Sequence, residues 1–264
     1  MDKQPNRTLK IAGILVAALA ALAAGGAQAA NYSITIDGSD AIWLAGRTDL
    51  SIPPASDPWP GGLLRHSYPT PEEIQETLPP IIPVLAGDVV RALDPAVGGI
   101  SFFNGFGAPM FGPGGNTPAG SSLSSFGGIS SYAGPQGPLV GVFLDDNVPN
   151  GVAPAGLDFS PSGLGIDFAS LSPQLGQVFY IGDGKTSGGE FQTFTAPAGA
   201  TRLALGIPDG FGFGGAPGAY DDNDGSYRIQ IGVNSVPVVP EPGSYALMLL
   251  GLGGLAAALR RRRG

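Results

Sequence analysis

Tyr227-Arg228-Ile229-Gln230-Ile231-Gly232-Val233 sets an apolar side chain at every second position, with a polar or small residue between. That period of two belongs to an extended strand with one face on a core and the other in water. Leu203, Leu205 and Ile207 alternate in the same way with Arg202, Ala204 and Gly206. Outward from these two segments, further runs of strand character lie between turn signals at 32–36, 41–44, 88–93, 100–103, 139–144, 178–181 and 191–195. The chain holds 44 Gly and 26 Pro in 264 residues without a Gly-x-y period, which discourages helix and excludes collagen, while a hydrophobic share of 43% supports a buried core. Short alternating runs punctuated by Gly and Pro predict an all-β fold, an antiparallel β-sandwich.

The connections are long. Residues 51–87 include Pro53, Pro54, Pro58, Pro60, Pro69, Pro71, Pro79, Pro80 and Pro83, and residues 105–138 are mostly Gly, Ser and Pro. Both segments predict extended loops. Within the first, residues 71–78 predict one short helix, with Thr70 as its cap and Pro71 at its first position.

Composition narrows the function classes. With no cysteine, the chain has no disulfide, no thiolate nucleophile and no Cys-ligated metal. Residues 31–240 carry 19 Asp and Glu against 6 Lys and Arg, a balance of about −13. That charge makes nucleic acid a poor partner. Carboxylate oxygens are hard ligands suited to divalent cations. For most of these acids, solubility alone is a sufficient explanation.

The two ends carry 7 of the 13 Lys and Arg and read as address labels. Lys3, Arg7 and Lys10 precede an apolar run over 11–24 and the small-residue stretch Ala27-Gln28-Ala29. This is the order of a secretory signal peptide, a signal helix cut by signal peptidase after Ala29. At the other end stand Pro240-Glu241-Pro242, an uncharged apolar segment over 245–259 and four arginines at 260–263. Prolines on both sides keep Glu241 extended and open to a processing enzyme. The arginines hold the tail on the cytoplasmic side of the inner membrane, spanned by a C-terminal hydrophobic helix. This order resembles the PEP-CTERM sorting domain of Gram-negative bacteria, which implies an exosortase as partner, in organisms that often make exopolysaccharide. The chain divides accordingly into a signal peptide (1–29), N-terminal strands with the Pro-rich loop (30–87), a β-sandwich domain (88–236) and the sorting segment (237–264). The expected product is exported, held transiently at the inner membrane and then released to the cell surface or extracellular matrix.

The most chemically pointed segment runs from Leu205-Gly206-Ile207-Pro208-Asp209-Gly210 to Ala219-Tyr220-Asp221-Asp222-Asn223-Asp224-Gly225-Ser226-Tyr227. Oxygen-bearing side chains next to Gly suit a Ca²⁺ loop, and the same residues also make an ordinary solvated turn. An EF-hand is excluded, because taking Gly225 as its sixth position puts Tyr220 first and Ile231 twelfth, where acids are required. The spacing resembles the calcium-dependent galactophilic lectins of the PA-I type, a small β-sandwich of jelly-roll, galactose-binding-like form. That resemblance implies Ca²⁺ held by side-chain oxygens of Asp209, Asp222 and Asn223 and by the Ala219 carbonyl, with a further carbonyl from residues 100–104, assigned to Phe103. Two departures stand out: Asp222 replaces an Asn of the family turn, and the loop after Asp209 is longer and contains Phe211 and Phe213. The family's sugar-selecting histidine has no match, since His66 lies in the Pro-rich segment.

Other residues read more plainly. Asp145-Asp146-Asn147 predicts a turn after the 139–144 strand, and Trp43 and Trp59 serve packing or sugar stacking. No nucleophile-elbow or His-centred motif is present, so the chain is read as a non-enzyme that binds carbohydrate with Ca²⁺. A carboxylate-based polysaccharide enzyme and a passive matrix protein stay open as alternatives.

Overall fold

The computed structural model describes residues 28–55, 57, 59, 75–103 and 110–237. The apolar run at 11–24, His66, residues 71–74 of the expected helix, Asn104, Pro240-Glu241-Pro242 and the segment 245–259 lie outside the described residues. Among the described residues no helix is long and apolar enough to cross a membrane.

The chain is built from strands β1 (Ala30–Asp37), β2 (Ile81–Pro83), β3 (Val89–Ser101), β4 (Asn116–Leu123), β5 (Tyr132–Gln136), β6 (Val140–Leu144), β7 (Leu157–Asp158), β8 (Ser170–Leu171), β9 (Val178–Tyr180), β10 (Thr193–Thr195), β11 (Arg202–Gly206), β12 (Gly214–Gly215) and β13 (Asp224–Val233). They form a five-stranded sheet in the order β1-β13-β3-β10-β8 and two four-stranded sheets, β2-β11-β6-β9 and β12-β4-β5-β7. The long pairings are antiparallel, as the sequence predicts. Short parallel pairs join β10 to β8, β12 to β4 and β5 to β7. The result is an all-β sandwich.

The alternation in β13 is realised. Tyr227, Ile229, Ile231 and Val233 are buried while Arg228 and Gln230 are exposed. β11 behaves differently: Leu203, Ala204, Leu205 and Gly206 are all buried, because β11 sits between β2 and β6 with both faces covered. β1 pairs with β13 from Ala30 opposite Val233 to Asp37 opposite Ser226. Residues 30–37 therefore belong to the same sheet as β3 and β10, and one hydrophobic core runs from Ile36 to Val233.

Three expectations are corrected. Residues 41–44 are no strand: Ile42–Leu44 is a single 3-10 turn with Ile42, Trp43 and Leu44 all buried. Periodicity does not separate a short apolar strand from a buried helical turn. Gln75 to Leu78 is not helical, and the Thr77 N–H donates to the Ser39 carbonyl at 2.8 Å in a bridge beside Asp40. Of the two segments read as loops, 51–87 contains β2, paired with β11, and 105–138 contains β4 and β5. β4 hides because its pairing with β5 is irregular between Asn116 and Gly120, where Pro118 stands, and proline is tolerated in a sheet at such a bulge. Pro95 in β3 is accommodated in the same way, beside the register shifts opposite Arg228 and Gln230.

Aromatic rings tie the sheets together. Phe143 of β6 stacks on Phe179 of β9 at 5.1 Å, and Phe179 meets Phe194 of β10 at 4.9 Å, linking the β11 sheet to the β13 sheet. Phe194 reaches Phe168 at 6.2 Å, Phe168 reaches Phe159 at 5.8 Å, and Phe159 stacks on Tyr132 of β5 at 6.0 Å, drawing in the third sheet. Such pairs add to the burial of 150–250 Å² that each aromatic brings. Trp43 is buried in the same core, and its Nε1–H donates to the Ser130 carbonyl at 2.9 Å. At the start of β13, Gly225 has φ +98° and passes so close to the Gly99 carbonyl that a Cβ would overlap it.

Phe194 sits where two sheets meet and is 1% exposed. Its replacement by Ala is expected to cost about 3–5 kcal/mol of folding free energy in a denaturant titration. A loss below about 1 kcal/mol would contradict the role assigned to the aromatic ladder.

Candidate functional site

The end of β11 and the start of β13 meet at one place. After Gly206 the chain leaves the sheet through Ile207-Pro208-Asp209, and Gly218 N–H donates back to the Asp209 carbonyl at 3.0 Å, closing the loop between them. Tyr220 pins this junction from below. Its hydroxyl donates to the Ile207 carbonyl at 2.8 Å and accepts from the Asp209 N–H at 3.3 Å, and its ring is fully buried. Ala219 takes a left-handed conformation, φ 59° and ψ 25°, to turn the chain into the 3-10 segment Tyr220–Asp222.

The structure brings the sequence-predicted residues together. Phe103, Asp209, Ala219 and Asp222 line one cavity of about 240 Å³, together with Phe102, Gly210, Phe211 and Phe213. Asn223 follows directly, 1% exposed, with its Nδ2 donating to the Gly38 carbonyl at 3.0 Å. That bond fixes the amide and leaves Oδ1 as its free oxygen. Asp209 is 2% exposed; its Oδ1 accepts from the Gly210 N–H at 2.7 Å, while Oδ2 has no partner. Asp222 Oδ1 and Asn223 Oδ1 are likewise buried without a partner. Buried polar atoms are ordinarily satisfied, so three such oxygens in one neighbourhood call for a donor or a cation.

Among the described residues neither Asp209 nor Asp222 meets a Lys or Arg in an ion pair. Burial pushes the Asp209 carboxyl well above its ordinary range, partly offset by the Asn223 amide and the Gly210 N–H; the charges of Asp222 and Asp221 push it further up. Burial also raises Asp222, to about 7, aided by the charge of Asp221. Among the described residues no group of three or more His, Cys, Asp or Glu is arranged to hold a metal. The oxygens without partners at this site belong to two carboxyls and an amide, the hard oxygen chemistry that Ca²⁺ takes. The residues therefore fit a divalent cation in kind.

Sequence reasoning missed the Tyr220 clasp and the burial of Asp221 and Glu76, both about 1% exposed. An acidic run next to Gly reads as a solvated turn, and nothing local signals that the turn lies beneath a neighbouring loop. The other acidic segment is a satisfied turn, as expected: Asp145 accepts from the Asn147 N–H at 3.0 Å and from its side chain at 2.8 Å, and Asp146 accepts from Thr201 at 2.8 Å. Trp43 is core, with no face open for stacking, and Trp59 is partly buried against the same core. Ala29 is exposed immediately before β1.

Comparison with known families finds the PEP-CTERM protein-sorting motif at residues 238–263. No curated protein and no solved structure matches the chain. The motif marks an exported protein, processed at the membrane by an exosortase and sorted to the cell surface of a Gram-negative bacterium.

Burial of carboxylates sets a pH dependence for the cation-free protein. Asp40, which accepts from Thr77 Oγ1 at 2.7 Å and from the Asp37 N–H at 2.8 Å, is raised by burial to about 6. For Asp40 and Asp222 alike, the folded state binds the proton more tightly than the unfolded chain does. Their contribution is thus complete at about pH 4 and is lost as pH rises through about 6 and 7. In chelator, the melting temperature is expected to fall between about pH 5 and 8. A flat or rising profile would contradict these assignments.

Proposed function

We propose that this exported, exosortase-sorted chain displays a β-sandwich that holds Ca²⁺ at Asp209, Asp222, Asn223 and the Ala219 carbonyl, and through that ion binds carbohydrate at the cell surface or in the matrix. The observation that carries the reading is the trio of buried oxygens without partners, Asp209 Oδ2, Asp222 Oδ1 and Asn223 Oδ1. Protonating Asp209, whose carboxyl lies within reach of the Asn223 side chain, would supply one O–H donor among these three oxygens. A cation serves all three. Support also comes from the similarity of the Asp209 segment and the Tyr220 to Tyr227 turn to the calcium-dependent galactophilic lectins. The Phe103 carbonyl is a further candidate donor at the rim of the same cavity.

In such a site the ion supplies a positive centre on which sugar hydroxyls can displace water. The protein's part is to hold the oxygens in place: Tyr220 anchors Asp209 through its backbone, and the Gly38 carbonyl orients the Asn223 amide. A second reading uses the same two carboxyls as the acid and base of a glycoside hydrolase, since both line one cavity and both have raised pKa values. It draws nothing from the likeness of the Tyr220 to Tyr227 turn to the calcium-dependent lectins, and ranks below the first.

Binding to the folded state alone adds about 2.7 kcal/mol at a free Ca²⁺ concentration of about 100 times the dissociation constant. The melting temperature of the purified mature chain is therefore expected to rise in millimolar Ca²⁺, and Asp209→Asn or Asp222→Asn to remove most of the rise. Equal melting temperatures in Ca²⁺ and in chelator would sink the proposal. Turnover of a polysaccharide by the wild type, abolished in either variant, would favour the second reading.

A further inference from the structure

The cavity over Asp209 and Asp222 has a polar floor and aromatic walls. Phe102 is buried, and the Phe213 ring meets it edge-on at 5.6 Å and Phe103 at 6.4 Å. Phe103 and Phe211 differ from Phe102 in remaining 51% and 56% exposed. They come from different parts of the chain, the end of β3 and the loop after Asp209, yet face the same 240 Å³ space. The loop that carries Phe211 is held in shape: Phe213 N–H donates to the Gly210 carbonyl at 2.6 Å, and Phe213 itself takes φ 56°. A non-glycine residue in that region of backbone space is kept there only when its surroundings demand it, and such residues gather at ligand sites.

Half-open aromatic rings around a concave polar floor suit a ligand that offers oxygens and apolar C–H groups on adjacent atoms. A pyranose does this, with hydroxyls around its edge and C–H groups on its face. At about 240 Å³ the cavity lies just below the roughly 300–1,000 Å³ of ordinary ligand pockets, a size suited to one sugar unit. A concave space of this size does not match a flat bilayer surface. We infer that Phe103 and Phe211 are the specificity-determining walls of this cavity, packing against the C–H face of one pyranose unit whose hydroxyls turn to the oxygen floor. The inference rests on the carbohydrate reading above and narrows it to one sugar unit recognised by aromatic contact.

The test uses the purified mature chain in millimolar Ca²⁺ on resins bearing galactose, mannose, glucose or fucose, with phosphatidylcholine–phosphatidylserine vesicles in parallel. At least one sugar resin is expected to retain the chain and release it to the free sugar. Phe211→Ala is expected to weaken that binding about tenfold or more, the fold-change that 1.4 kcal/mol of lost contact represents. Phe211→Trp keeps most of it, and both variants show the wild-type Ca²⁺ shift in melting temperature. If no resin retains the chain, or Phe211→Ala binds as wild type does, while the Ca²⁺ shift persists, this inference is overturned and the ion site stands. Sugar binding lost in Phe211→Ala without any Ca²⁺ shift would uphold the aromatic walls and overturn the ion site. Vesicle sedimentation that depends on Phe211, without sugar retention, would assign the rim to a membrane and overturn the inference.

Discussion

The ladder that β13 makes with β1 on one side and β3 on the other joins the first strand of the body to the last and ties the pair, through β13, to the long central strand. Its register is fixed by Tyr227, Ile229, Ile231 and Val233, since a slip of one residue would turn all four into water. The same ladder sets the place of the candidate site. β1 delivers Gly38 to the Asn223 amide at one end of the ladder, while Ala30 and Val233 lie paired at the other. Eight residues of strand, at about 3.3 Å each, thus separate the cavity from the corner where the chain enters the body and leaves it toward the sorting motif.

Much of this was legible. β13 and β1 are readable because one face is wet and the other dry, so composition alternates. β4 and β5 are not readable, since prolines and a register break erase the alternation and the pairing supplies what the local sequence does not. Residues 41–44 mislead because a buried 3-10 turn and a buried strand are equally apolar. At the site, the types and spacing of Asp209, Asp222 and Asn223 suggest oxygen donors. Their burial, the Tyr220 clasp and the aromatic walls depend on contacts between distant segments, which no window of sequence contains.

A secreted chain without cysteine must hold itself together by its core. The ring sequence from Phe143 through Phe179 and Phe194 to Tyr132 does this across three sheets. Against that stands the cost of burying Asp209, Asp222 and Asn223 with open oxygens, a local conflict of the kind that natural folds retain at functional sites. A bound cation, as proposed, would turn that conflict into a net gain and would tie stability outside the cell to the presence of the ion.

The most direct measurement is diffraction from crystals of the mature chain grown in Ca²⁺, with anomalous maps to locate the ion. The account predicts one peak within about 2.3–2.6 Å of Asp209 Oδ2, Asp222 Oδ1 and Asn223 Oδ1. A well-ordered cavity without a peak at saturating Ca²⁺, or with the three oxygens turned to protein donors, would contradict it.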